Sequence, residues 1–175
     1  MIKKIIWAIW ILLLIVLQIS FIPNLDFAQN KINLLLISFT FFLLAFDLKT
    51  SLIWAIIAGY FLDYYSNLPF GVIMISLIFS LSLIYLFFHN FLTNRSLLSL
   101  ATLVASFTFL YNLIIYLASF ILERISIIQW QWQWTAVTGL LWQTVANVGV
   151  AALIFLLYNF FSQKFKKSFM VKGNF

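Results

Sequence analysis

The run Gly59-Tyr60-Phe61-Leu62-Asp63-Tyr64-Tyr65-Ser66-Asn67-Leu68-Pro69-Phe70-Gly71 joins two strongly apolar segments through a polar, aromatic turn. Asp63 is one of four acids in the chain, and no other charge falls between Thr50 and Phe88. A carboxylate in such surroundings costs about 2.5–3.5 kcal/mol at mid-membrane depth and less near an interface. Gly59, Asp63 and Ser66 recur at i, i+4 and i+7, and Ala55 extends that helical face backwards. Small residues four apart allow a second helix to approach closely, so this face is expected to look into protein.

Outward from this run the chain stays apolar. Of its 175 residues 65% are hydrophobic and 8% charged, and mean hydropathy is +1.11. Polar side chains are too few to cover a water-soluble surface, and long uncharged runs recur, which predicts an integral helical membrane protein. The expected fold is all-α, a compact polytopic bundle of six transmembrane helices at about 5–22, 32–46, 51–65, 70–88, 96–122 and 134–160. A basic tail, 164–175, follows. The apolar run behind Lys3 and Lys4 meets no small-residue cleavage site and reads as a retained first helix. The short second helix is expected to gain a turn at each end, with Lys31 and Lys49 snorkelling outward.

Six spans place both termini on one side. Eight of the ten Lys and Arg residues then lie at the termini and in the second and fourth loops, leaving Lys31 and Arg124 opposite. The positive-inside rule puts both termini in the cytoplasm and the Asp63 turn outside. The net charge of +6 is thus set by membrane orientation, and no nucleic-acid partner is expected. Gln129-Trp130-Gln131-Trp132-Gln133-Trp134 alternates with period two, but a lone strand has no place in hydrocarbon. It reads as an aromatic belt on the outer surface.

No catalytic constellation is legible. The chain lacks cysteine, and its single histidine, His89, falls at the opposite end of the membrane from Asp63. Metal ligation needs three or four convergent ligands, and an intramembrane aspartyl peptidase needs paired aspartates. No enzyme, cofactor or metal is expected. Polar residues instead form stripes at helical spacing. Ser76 and Ser80 lie four apart; Ala101, Ala105, Thr108 and Asn112 share a face, as do Gly139, Gln143, Asn147 and Ala151. Two readings stand: interhelical hydrogen bonds that hold the bundle, or a polar pocket joining Asp63, Asn112, Gln143 and Asn147.

The pattern Gly59-x-x-x-Asp63-x-x-Ser66-x-x-Pro69-x-Gly71 resembles the signature of the MreD family of bacterial rod shape-determining membrane proteins. Chain length, small loops, Asn147 and the basic tail agree with it. The resemblance implies a non-enzymatic scaffold of the cell-wall elongation complex in the cytoplasmic membrane. Its partner would be an MreC-like single-span protein, with a RodA-type glycosyltransferase, a class B penicillin-binding transpeptidase and an MreB-like cytoskeleton in the same assembly. A different class also fits the size: the substrate-binding membrane subunit of a vitamin or metal uptake transporter. Such subunits show a small-xxx-small face in their first helix, whereas Trp7-Ala8-Ile9-Trp10-Ile11-Leu12 is bulky. A lipoprotein signal peptidase would need a second, paired aspartate.

Overall fold

The structure is a computed structural model that describes residues 2–25, 31–45, 47–91, 97–125 and 134–170. All regular structure among them is helical: α1 (Ile2–Val16), α2 (Leu34–Ala45), α3 (Leu48–Tyr64), α4 (Val72–Phe91), α5 (Leu97–Arg124) and α6 (Trp134–Met170). Two helical stretches, Leu97–Arg124 and Val137–Phe160, are long and apolar enough to cross a membrane.

The shortest helix is the centre. α2 has twelve residues, about 18 Å at 1.5 Å per residue. It packs against α1, α3, α5 and α6, and Leu35, Leu36, Ile37, Phe39, Phe42 and Leu43 are all buried. Apart from Ser38 and Thr40 it is apolar all round and has no polar stripe to expose, as expected of a helix enclosed by others. The predicted extra turns at its ends are not formed. Asn33 stops the helix at its start, with its Oδ1 accepting the Leu36 amide at 3.1 Å in an N-cap. A helix walled in by its neighbours has no need to match the thickness of a bilayer.

The other five helices turn large apolar side chains outward, among them Leu12, Ile56, Phe79, Phe109 and Leu153. Inside lie Thr40, Ser51, Ser76, Ser80, Thr108 and Asn147, each fully buried. This is the inverse of a water-soluble protein, where contiguous apolar patches are kept small.

Helix ends differ from expectation for local reasons. α1 begins at Ile2, and its C-terminal part widens into a π turn over Leu17–Phe21, then tightens to a 3-10 turn at Ile22–Asn24 around Pro23. α3 starts at Leu48 behind Asp47, which accepts a hydrogen bond from the Thr50 hydroxyl at 2.8 Å. α4 starts only at Val72 because Gly71 has a φ of 98°, outside the helical range. α6 does not stop near residue 160 but continues to Met170, through Lys164, Lys166 and Lys167, since no glycine or proline falls between Phe160 and Gly173. The expected basic tail is therefore helical in its first part, and 171–175 lie outside the described residues. So does the tryptophan-glutamine run apart from Trp134.

Candidate functional site: a polar cavity beside the Asp63 turn

The 59–71 motif folds as a joint between α3 and α4. Gly59 lies against α4 so closely that a Cβ there would sit 2.6 Å from the Met74 Cα. Asp63, 3% exposed, accepts the Ile73 amide on Oδ1 at 2.8 Å and the Met74 amide on Oδ2 at 2.9 Å. These are the second and third amides of α4, the donors an N-cap side chain would normally satisfy. Gly71 holds the cap position and has no side chain, so Asp63 supplies the acceptors from the preceding helix. The positive end of the α4 dipole favours an acid there.

The rest of the motif shapes the turn. The Ser66 hydroxyl donates to the Asp63 carbonyl at 3.0 Å and accepts the Leu68 amide at 3.3 Å. The Val72 amide returns to the Pro69 carbonyl at 3.2 Å. That closes a β-turn with Gly71 at its third position, where a positive φ is the mark of type II.

Deeper in the bundle, Asn147 joins three helices. Its Nδ2 donates to the Thr108 hydroxyl at 3.0 Å, and its Oδ1 accepts the Asn33 amide at 2.8 Å. Gln18, in the π turn, accepts the Leu34 amide at 2.8 Å and donates to the Ile32 carbonyl at 3.3 Å. The amides at the start of α2 are thus met by side chains from α1 and α6. Between α5 and α6, Asn112 Nδ2 donates to Gln143 Oε1 at 2.6 Å and to the Thr108 carbonyl at 2.8 Å.

A cavity of about 530 Å³ lies among these groups. Gln18 and Pro23 border it from the end of α1, Asn33 from the start of α2, and Ser66 and Tyr65 from the α3–α4 turn. Tyr111, Asn112 and Tyr116 face it from α5, with Gly139 and Gln143 from α6. The ends of α1 and α3, the C-terminal half of α5, and the starts of α2, α4 and α6 therefore share one end of the bundle.

Of the pocket envisaged from sequence, Asn112 and Gln143 line the cavity, while Asn147 lies behind it, tied to Asn33. Asp63 is not in its wall, and both its oxygens are held by α4 amides. Ala55, Ser76 and Ser80 are buried inside the bundle, and both serines donate to carbonyls one turn back in α4. Ala101 is half-buried on α5. Ala105 lines a second, mostly apolar groove of about 690 Å³ with Leu83, Phe87, Phe109, Leu141 and Thr144. Among the described residues no three His, Cys, Asp or Glu side chains gather as metal ligands. Sequence reasoning missed Gln18 and Asn33. Gln18 is the one amide side chain in the first apolar run, and Asn33 stands three residues before Leu36, the spacing of a cap.

Comparison with family models, curated proteins and solved structures gives no match for this chain.

Proposed function

We propose that the chain is a six-span protein of the bacterial cytoplasmic membrane, with both termini cytoplasmic, that acts as a non-enzymatic scaffold in cell-wall elongation. In this reading it binds an MreC-like single-span partner and through it the RodA-type glycosyltransferase, the class B transpeptidase and the MreB-like filament. The observation that carries the reading is the Gly59–Gly71 motif. Its resemblance to the MreD signature supplies the partners, and within it Asp63 ties α3 to the start of α4 while Ser66 braces the turn between them. The apolar exterior and the alternating helix ends support the six-span arrangement. The groove between α4, α5 and α6, with Ala105 in its wall, supports binding of a further helix, since association in lipid rests on close packing.

The test is affinity purification from mild detergent followed by mass spectrometry. MreC-like and wall-synthesis proteins are the expected co-purifying species, and Ala105→Phe should lower their recovery at unchanged expression. Ser80→Phe should instead lower the level of the protein itself, because Ser80 is buried within the bundle. Recovery of transporter ATPase subunits in their place would sink the scaffold reading and favour the transporter one.

A further inference from the structure

The 530 Å³ cavity is in the size range of small-molecule sites, about 300–1,000 Å³. None of the residues lining it is charged. The nearby Asp63 lies outside the wall with both oxygens held by α4 amides, so an ion entering would leave water without a counter-charge free to pair with it, which is unfavourable. A purely apolar guest fails for the opposite reason. Tyr111, Asn112 and Gln143 line the cavity, and the Tyr111 hydroxyl, Asn112 Oδ1 and Gln143 Nε2 make no hydrogen bond among the described residues. Covering them with hydrocarbon would cost about 1–3 kcal/mol for each group left unpaired.

The space is kept open by the chain itself. Gly139 lies in the wall, and a Cβ placed on it would meet no atom within 4 Å. Gln18 is turned toward α2 by the π turn of α1, a local feature frequent at functional sites. Tyr65, Tyr111 and Tyr116 bring flat apolar rings with polar edges to the same wall. Amide donors and acceptors beside aromatic faces suit a guest with hydroxyls around its rim and C–H groups on its faces.

We propose that this cavity binds an uncharged, polyhydroxylated group of saccharide size, offered either as a glycolipid headgroup or as a free sugar. The site rests on the cavity alone and does not depend on membership of a wall-elongation complex.

The test uses the full chain in phosphatidylcholine nanodiscs, with binding read by native mass spectrometry. The probes are a monoglucosyl diacylglycerol in the bilayer, methyl glucoside in solution, and phosphatidylglycerol as a charged diol headgroup. Saturable binding of a glucosyl probe is expected, weakened roughly tenfold or more by Gly139→Leu, which fills the space, and severalfold by Tyr111→Phe. The melting temperature of the unliganded variants should stay close to that of the parent. Binding of the lipid probe alone assigns the headgroup, and binding of methyl glucoside assigns the free sugar. Should Gly139→Leu fail to fold, Tyr111→Phe decides, since it removes one hydroxyl and keeps the ring. Failure to bind either glucosyl probe, preference for phosphatidylglycerol, or binding unchanged by the variant that decides overturns the proposal.

Discussion

Asp63 shows how one side chain settles the geometry of two helices. Each of its oxygens accepts one α4 amide, so substitutions at this position separate by acceptor count. Asp63→Asn keeps one acceptor and turns an NH₂ group toward the other amide. Asp63→Leu leaves both amides unpaired in the interior. At about 1.5–3 kcal/mol for each hydrogen bond to a charged group, we expect Asn to cost about 2 kcal/mol and Leu about twice that. Thermal or denaturant unfolding in nanodiscs would measure both, and a Leu variant as stable as Asn would show that the cap is unimportant. Gly59 and Gly71 should fail differently on substitution by alanine. At Gly59 the new methyl meets backbone at 2.6 Å, so α3 and α4 must separate, an overpacking cost of about 1–3 kcal/mol. At Gly71 there is room, the nearest atom being 3.9 Å away, and only the positive φ is penalised, by about 1–2 kcal/mol. A smaller residue at Met74 should not suppress Gly59→Ala, because the clash is with the Met74 Cα itself.

At the level of elements, the start of α3 carries a pH-sensitive contact. The Thr50 hydroxyl beside Asp47 holds that carboxyl below its ordinary value of 3.8, helped by backbone amides and by Lys49. The sign follows from the lowered folded value. The contact is fully present above pH 3.8 and is lost as pH falls through the lower folded value. Because Asp47 is exposed, the effect is local fraying of the α3 start and not loss of the bundle. A carbon-13 titration of the Asp47 carboxyl should show the depressed midpoint, and Thr50→Val should move it back up. An unchanged midpoint in that variant would remove Thr50 as the main cause. What could be read in advance from the chain follows the same division. Helix type and order were legible because apolar runs are long and Pro23, Pro69 and Gly71 punctuate them. The motif face was legible from spacing. The role of α2 was not, because a run of twelve residues that is apolar but for Ser38 and Thr40 looks the same whether lipid or protein surrounds it. The acceptors for its first amides come from Gln18 and Asn147, and no local pattern announces partners 16 or 114 residues away.

For the whole molecule, orientation is the open quantity that one pair of measurements resolves. On the proposed six-span arrangement the basic residues divide eight to two between the two faces, so a reporter after Lys167 should register as cytoplasmic and one within 129–134 as external. Agreement between the two positions would overturn the count of six, since α6 would then not cross, and inversion of both would reverse the orientation. The Asn147–Asn33 bond adds a matter of timing. Helices enter a membrane in the order of their synthesis, and the Asn33 amide waits 114 residues for its acceptor. A nascent chain that has not yet delivered α6 therefore leaves the Asn33 amide unpaired beside the polar cavity, at about 1–3 kcal/mol for a buried donor without a partner. α6 is thus a latch on an element made 114 residues before it, and a chain halted short of it leaves that end of the bundle ajar.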